Sequence, residues 1–195
     1  MPFSTVCVYA GSNPGVDPAH ADAARRLGTL LAQQGTGLVY GGGRVGLMGV
    51  VADAVLAAGG SAVGIIPHGL DRREVAHRDL TELVVVGSMH ERKAQMAERS
   101  DAFVALPGGL GTIEELVEAA TWTQLGIHQK PIGLLDSAGY WEPFGAFLEH
   151  AVAAGFVRAE HRRAIVRDED PEPLLALLEA WTPTTVEKWL ELDES

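Results

Sequence analysis

Two kinds of hydrophobic pattern alternate along this 195-residue chain. Short segments that are apolar at every position are typical of strands buried on both faces of a sheet, whereas longer segments with apolar residues three or four apart are typical of helices with one buried face. The predicted strands cover residues 5–10, 37–40, 61–66, 83–86, 102–106, 131–135 and 164–166. The predicted helices cover residues 18–34, 47–58, 89–99, 112–124, 141–154, 171–181 and 186–192.

This alternation predicts an α/β fold with a doubly wound, mostly parallel sheet covered on both faces, which is a Rossmann-like three-layer sandwich. We expect a single Rossmann-like nucleotide-binding domain over residues 1–195, with residues 171–195 as a helical C-terminal tail. Ligands of such folds bind outside the carboxyl ends of the strands. The loops that lead from strands into helices are therefore the places to search for chemistry.

Composition and charge narrow the classes of partner. Hydrophobic residues make up 47% of the chain, which is close to the globular average and predicts a packed core. The formal net charge of −11 argues against a nucleic-acid polymer, because an acidic chain repels phosphate backbones. A small phosphorylated ligand stays compatible with this charge, since its binding depends on local amides and a few cations.

The single cysteine and the absence of long apolar segments predict a compartment. Cys7 cannot form an internal disulfide and lies within a predicted strand, where it is expected to be a small buried residue. No segment approaches the roughly 18 apolar residues of a membrane span, and the N-terminus lacks the pattern of a signal peptide. We therefore expect a cytoplasmic protein with no membrane partner.

The first glycine-rich loop, residues 41–46, contains the pattern G-x-G-x-x-G. It follows the second predicted strand rather than the first, and the next strand ends at residues 65–68 (IIPH) without the carboxylate that would hold a ribose hydroxyl. A nicotinamide cofactor is therefore rejected, and no G-x-x-x-x-G-K-[ST] motif is present. The histidines are scattered without metal-ligand spacing, so the sequence calls for no metal and no cofactor.

The second glycine-rich loop, residues 107–115 (PGGLGTIEE), follows a predicted strand and opens a helix. Glycines allow the backbone to approach a ligand, and the first amides of a helix attract an anion, so a phosphate group is the expected ligand. Thr112 can add a hydroxyl donor. Thr112 and Glu115 also have the spacing of a capping box, in which the glutamate only completes the start of the helix. The spacing alone leaves both interpretations of Glu115 open.

A cation interrupts the apolar face of the helix predicted at residues 89–99. Met89, Arg92 and Met96 share one face, which should turn inward. Either the stem of Arg92 packs while its guanidinium reaches water, or the guanidinium is aimed at a ligand, and Lys93 could share the same anion. Both interpretations stay open at this point.

Several motifs together resemble the LONELY GUY (LOG) family. Residues 107–115 match its P-G-G-x-G-T-x-x-E signature, and residues 89–93 match its M-H-x-R-K segment. Further blocks that resemble the family are residues 10–12, 41–43, 46–49 and 121–128. The similarity extends from about Val6 to Tyr140, in the order that the predicted fold requires.

The resemblance implies a cytokinin riboside 5′-monophosphate phosphoribohydrolase, which is an N-glycosidase that releases an N6-substituted adenine and ribose 5-phosphate. It implies a homodimer and a nucleoside 5′-monophosphate as substrate, and it assigns catalysis to Arg92 and Glu115. The positions that match its substrate-binding motifs are Ser12, Gly42, Gly43, Glu74, Met89, Lys93, Gly108, Gly109, Leu110, Gly111, Thr112, Ile113, Glu114 and Thr121.

Three alternatives accompany this interpretation. Members of the family are often labelled lysine decarboxylases, but none of the three lysines, Lys93, Lys130 and Lys188, lies in a recognisable pyridoxal-binding motif. A general AMP or purine monophosphate nucleosidase of nucleotide salvage would use the same site. A non-catalytic nucleotide-binding protein, as in related Rossmann-like carrier proteins, is the third alternative, and the presence of both Arg92 and Glu115 favours the enzyme.

Overall fold

The computed structural model describes residues 3–70 and 76–183 as a parallel sheet between two layers of helices. The seven strands have the order β4-β3-β2-β1-β5-β6-β7, and every neighbouring pair is parallel. Their bounds are β1 Thr5–Tyr9, β2 Gly37–Tyr40, β3 Ala62–Pro67, β4 Glu82–Val86, β5 Ala102–Ala105, β6 Ile132–Leu135 and β7 Ile165–Asp168. The doubly wound, Rossmann-like sandwich predicted from the sequence is confirmed.

The helices begin and end within a few residues of the predicted positions. Their bounds are α1 Pro18–Gln33, α2 Gly46–Ala57, α3 Met89–Glu98, α4 Leu110–Leu125, α5 Glu142–Ala153, α6 Ala159–Arg162 and α7 Pro171–Ala180. A 3₁₀ turn at Ser137–Gly139 and the four-residue α6 were not predicted, because elements this short carry no hydrophobic period. The helix predicted at residues 186–192 lies outside the described residues.

Each face of the sheet has its own hydrophobic core. One core contains Leu27 and Leu31 of α1 with Val51 and Val55 of α2, and the other contains Met96 of α3 with its neighbours from α4 and α5. Helices α1 and α2 approach closely at Gly28, where a Cβ would lie only 2.5 Å from the carbonyl oxygen of Val51. A side chain at this position would have to push the two helices apart.

Helix α7, which lies in the stretch expected as a C-terminal tail, packs into the main body of the molecule. Leu174 and Leu178 are fully buried and belong to the same core as α1 and α2. Leu174 also lies 3.1 Å from the position that a Cβ on Gly133 of β6 would take. In the described part of this stretch, the chain therefore covers the sheet.

The direction of chain winding reverses at β1. The chain passes from β1 through β2 and β3 to β4 on one side, and β5 then returns to the other side of β1. Loops from such a reversal diverge and leave a crevice at the carboxyl ends of the strands. Here the loops after β1 and β5 meet at the base of that crevice, where the amide of Gly11 donates a hydrogen bond of 3.0 Å to the carbonyl of Pro107.

Two further sequence-based points concern the interior and the membrane. Cys7 is completely buried, and burial raises the pKa of its thiol, so it behaves as an inert small residue as expected. Within residues 3–70 and 76–183, no helix is long and apolar enough to cross a membrane.

Candidate active site

Arg92 of α3 and Glu115 of α4 form a buried ion pair beside the carboxyl ends of the central strands. Arg92 Nη1 donates to Glu115 Oε1 at 2.5 Å, and Arg92 Nε donates to the carbonyl of Ile65 in β3 at 3.0 Å. The two side chains are only 10% and 11% exposed, so the guanidinium does not reach bulk water. Of the two interpretations of Arg92, the structure therefore supports an inward-directed cation.

The backbone of the first glycine-rich loop makes room for this cation. A Cβ on Gly41 would come within 1.9 Å of Arg92 Nη2. Gly41 follows directly after β2, so the guanidinium fills the space that a side chain at residue 41 would take. The sequence placed Gly41 in a glycine-rich loop but did not mark it as a site residue, because the need for glycine there depends on a side chain from a distant helix.

Glu115 is not a capping residue, so the capping-box interpretation of the sequence was wrong. Helix α4 begins at Leu110, its N-cap is Gly109 in an extended conformation, and no side chain makes a capping hydrogen bond there. Glu115 instead lies more than a full turn inside the helix and accepts from Arg92. Burial raises the pKa of the Glu115 carboxyl above 4.5, while the charge and hydrogen bond of Arg92 oppose that shift.

Lys93 is held by carboxylates of α4 rather than being left to bind an anion. Its Nζ lies 2.6 Å from Glu114 Oε1 and 3.0 Å from Glu118 Oε1. Burial alone would lower the pKa of Lys93, but the hydrogen bonds and charges of Glu114 and Glu118 outweigh it and raise the pKa. Lys93 therefore stays an ammonium, and it neutralises part of the negative charge around Glu115.

The second glycine-rich loop presents an open helix start. A Cβ on Gly109 or on Gly111 would meet nothing within 4 Å, and Leu110 between them is 86% exposed. Thr112 points the other way: it is buried beneath the loop, and a Cβ on Gly108 would lie 2.1 Å from its hydroxyl oxygen. Backbone amides rather than the Thr112 hydroxyl thus face the open side.

The loops after β1 and β2 pack against each other on the far side of the crevice. Gly46, at φ +62°, brings α2 so close to the β1 loop that a Cβ there would lie 2.3 Å from the carbonyl carbon of Ser12. Gly43 forms an isolated antiparallel bridge with Ala76. The carbonyl of Gly42 accepts from the amide of His77, and His77 Nε2 lies 2.8 Å from Asp53 Oδ1.

Two of the predicted site residues, Met89 and Thr121, are exposed and do not join this cluster of ion pairs. Met89 is 44% exposed at the first position of α3, so the prediction that it shares an inward-facing apolar side with Met96 was wrong for Met89. Thr121 is exposed, and its hydroxyl donates to the carbonyl of Val117 one turn earlier in α4. Glu74 lies outside the described residues. The half-buried Ile113 lies on α4 between Thr112 and Glu115 and packs on the core.

Two residues that the fold brings to the site, Glu118 and Tyr140, were not predicted from the sequence. Glu118 shares Lys93 with Glu114, because the two glutamates are four residues apart on the same helix face. Tyr140, from the loop after β6, donates a hydrogen bond from its hydroxyl to the carbonyl of Gly108. Among the described residues, no group of three or more histidine, cysteine, aspartate or glutamate side chains could hold a metal ion.

Comparison with known proteins gives consistent matches over most of the chain. Residues 48–178 match the protein family described as "Possible lysine decarboxylase". The chain is 51% identical over 181 residues to "Probable cytokinin riboside 5′-monophosphate phosphoribohydrolase LOGL5" of Oryza sativa subsp. japonica, covering 93% of this chain and 74% of that protein. It is 48% identical over 181 residues to "Cytokinin riboside 5′-monophosphate phosphoribohydrolase LOG" of the same organism, covering 93% and 75%.

Solved structures share the fold. The X-ray structure of the structural-genomics target TM1055 matches with a TM-score of 0.69 and 26% identity, covering 92% of this chain and 99% of that one. A molybdenum cofactor binding protein from the phototrophic bacterium Rippkaea orientalis matches with a TM-score of 0.66 and 25% identity, covering 92% and 97%.

Proposed function

The chain belongs to the LOG family, and from this premise we propose that it is a cytokinin riboside 5′-monophosphate phosphoribohydrolase acting at the crevice between the β1 and β5 loops. The enzyme hydrolyses the N-glycosidic bond of an N6-substituted adenosine 5′-monophosphate and releases the free base and ribose 5-phosphate. The observation that carries the assignment of the site is the buried Arg92–Glu115 pair beside an open glycine-rich helix start.

The start of α4 binds the 5′-phosphate in this proposal. The first amides of an α-helix have no partner within the helix, and the helix dipole favours an anion at this end. Gly109 and Gly111 leave the backbone open to a ligand, and no side chain caps it. The surrounding glutamates would repel a phosphate, and Lys93 reduces that repulsion by pairing with Glu114 and Glu118.

Glu115 is the carboxylate for the reacting sugar. Cleavage of an N-glycosidic bond passes through an oxocarbenium-like transition state, which a carboxylate can stabilise or whose attacking water it can activate. Glu115 follows the proposed phosphate-binding amides on the same helix, so a bound phosphate brings the ribose towards it. Burial raises the pKa of Glu115 above its ordinary value, which is the direction that favours proton exchange by a carboxylate.

Arg92 holds Glu115 in place and supplies positive charge. Its Nε and Nη1 are occupied by Ile65 and Glu115, which fixes the plane of the guanidinium. A planar guanidinium held in this way can orient the substrate or stabilise negative charge on the departing purine. Catalysis by Arg92 and Glu115 is thus a joint role of one ion pair.

The two lysines that the structure describes, Lys93 and Lys130, argue against pyridoxal-dependent decarboxylation. A Schiff base with pyridoxal needs a neutral amine, whereas the two carboxylates keep Lys93 charged. Lys130 lies just before β6, at the opposite edge of the sheet from the crevice, and its ammonium donates to the carbonyl of Ala97. Neither residue is suited to hold that cofactor at the proposed site.

Binding without hydrolysis is the second candidate, because a structural neighbour is named as a molybdenum cofactor binding protein. A carrier needs the phosphate-binding helix start but has no use for a carboxylate locked to a buried arginine. The Arg92–Glu115 pair therefore favours the enzyme.

The experiment that tests this function is incubation of the protein with N6-isopentenyladenosine 5′-monophosphate, AMP and adenosine, with the released bases quantified by chromatography. We expect both monophosphates to be cleaved and adenosine to be untouched. A larger kcat/KM for the N6-substituted nucleotide assigns the hormone pathway, and a larger value for AMP assigns salvage. Tight binding with no released base would assign a carrier instead.

We further propose that the protein acts as a cytoplasmic homodimer. The single, fully buried cysteine suits a reducing compartment. Exposed apolar side chains at Val117 and Leu125 of α4, and at Ile127 just after it, offer a surface for a second copy. Sedimentation velocity of the purified chain tests the dimer.

A further inference from the structure

Tyr140 is attached to the glycine-rich loop that begins α4. Its hydroxyl donates a hydrogen bond to the carbonyl of Gly108, across the gap between the loops that follow β6 and β5. Because Tyr140 is 39% exposed, this bond lies at the surface of the crevice and contributes little to the core.

The loop that carries Tyr140 is itself held firmly. Asp136 is buried, and its two carboxylate oxygens accept from the amide of Trp141 at 2.6 Å and from Arg167 Nη1 at 2.9 Å. Between Asp136 and Trp141 in the chain, Ala138 adopts a left-handed conformation with φ 53° and ψ 32°, which is unusual for a residue with a side chain. Such strained residues persist where the surrounding structure fixes them.

The ring of Tyr140 is also fixed from two sides. The His20 ring contacts it nearly edge-on at a centroid distance of 5.8 Å, and the Trp141 ring does so at 5.1 Å. His20 is in turn held by Ser137, whose Oγ lies 2.8 Å from His20 Nδ1. The hydroxyl of Tyr140 is therefore presented to Gly108 from a rigid support.

Fixing the Gly108 carbonyl also fixes the Gly109 amide. The two belong to one planar trans peptide, in which C=O and N–H point in opposite directions. Gly108 itself has no freedom on its inner side, where a Cβ would lie 2.1 Å from Thr112 Oγ1 and 2.8 Å from the Gly11 nitrogen. A carbonyl held by Tyr140 thus turns the Gly109 N–H away from Tyr140, at the open start of α4.

We propose that Tyr140 is a positioning residue for substrate phosphate, acting through the Gly108–Gly109 peptide. Its hydroxyl keeps the Gly109 amide aimed at the anion before substrate arrives, so the loop need not reorganise on binding. This inference rests on the proposed function of the α4 start as the phosphate site. It assigns Tyr140 no contact with the reacting atoms.

The test is Tyr140→Phe, which removes the hydroxyl and keeps the ring. The loss of one hydrogen bond predicts a roughly 3- to 10-fold higher Kd for ribose 5-phosphate in titration calorimetry and a matching rise in KM for the nucleotide. We expect kcat and the inhibition constant of free adenine to stay unchanged, because a group that acts on the phosphate alone affects ground state and transition state equally. Thermal melts check that Tyr140→Phe and the control variant described next are folded.

Tyr40→Phe is the matched control, since the Tyr40 hydroxyl is buried and has no hydrogen-bond partner in the described part of the chain. Unchanged Kd for ribose 5-phosphate in Tyr140→Phe, or an equal weakening of adenine and ribose 5-phosphate, would overturn the inference while the wild-type activity stands. Failure of the wild type itself to cleave any nucleoside monophosphate would overturn the proposed function and this inference with it.

Discussion

The guanidinium of Arg92 fills the space that a side chain on Gly41 would need, since a Cβ on residue 41 would lie 1.9 Å from Arg92 Nη2. Arg92 belongs to α3 and Gly41 to the turn after β2, so the pair joins helix α3 to the β2 loop at the crevice. The absence of a side chain at residue 41 is what allows Arg92 to lie inward and reach Glu115.

Gly41→Ala should therefore impair the reaction without any change to Arg92 or Glu115. The added methyl displaces the guanidinium, and misplacement of a catalytic group by about 1 Å can cost about 100-fold in rate. We expect kcat/KM to fall by about that factor while the protein stays folded, as measured by steady-state kinetics and a thermal melt. Gly145→Ala is the control, because a Cβ there meets nothing within 4 Å. Activity close to that of wild type in Gly41→Ala would contradict the role of Arg92.

Glu115→Gln should nearly abolish turnover. Loss of the carboxylate removes acid–base or charge stabilisation, for which the expected loss in kcat is roughly 10²–10⁴-fold. The amide can still accept from Arg92 but leaves its charge unpaired, so we also expect a loss of stability of up to about 3–5 kcal/mol, measured by urea unfolding. Glu179→Gln on the exposed side of α7 controls for removal of a charge. Substantial turnover by Glu115→Gln would show that the glutamate has only a structural role.

The pH dependence should report the same carboxylate. Burial raises the pKa of Glu115 and Arg92 opposes the rise, so the ionised form is lost as the pH falls through a value above 4.5. The acid limb of the kcat/KM profile should therefore lie above pH 4.5 and move to higher pH in Arg92→Gln, where the opposing charge is gone. Arg99→Gln, which removes a guanidinium paired with Glu82 at the end of α3, should leave the limb in place. A limb that does not move in Arg92→Gln would assign it to another group.

A fourth prediction concerns stability alone. Gly28→Ala places a methyl 2.5 Å from the Val51 carbonyl oxygen, and overpacking of this kind costs about 1–3 kcal/mol. For a chain of this size, Tm should fall by about 2–12 °C in differential scanning calorimetry. Since α1 and α2 cover the face of the sheet opposite α3 and α4, kcat/KM well below Tm should not change. An unchanged Tm would mean that the two helices can move apart without cost.

The sequence was sufficient to predict the fold because its signals are local. Most strands of the sheet are short apolar segments, although β7 includes Arg167 and Asp168, and helix starts such as Asp17 with Pro18 carry their own capping residues. The 3₁₀ turn at Ser137–Gly139 escaped prediction because so short an element has no hydrophobic period, and because Asp136 before it is held partly by Arg167 of β7, which is distant in sequence.

The sequence named Arg92, Lys93 and Glu115 as candidate site residues, but it could not predict which side chains they pair with. The spacing of Thr112 and Glu115 resembles a capping box, yet α4 begins at Leu110 and Glu115 pairs with Arg92 of another helix. No local sequence pattern could indicate that pairing. Lys93 next to Arg92 looked like a second anion ligand, whereas the fold gives it to Glu114 and Glu118. Long-range contacts of this kind decide what each charged side chain can do.

Helix α4 carries both the open amides at its start and Glu115, so one continuous helix sets the spacing between the proposed phosphate site and the carboxylate. Five residues of helical rise correspond to about 7.5 Å, and no hinge lies between the two ends of that interval. In the proposed binding mode, this fixed interval would select substrates by the distance from phosphorus to the anomeric carbon. The phosphorus of a 2′- or 3′-phosphorylated isomer lies closer to the anomeric carbon, so in that mode such an isomer would not span the interval.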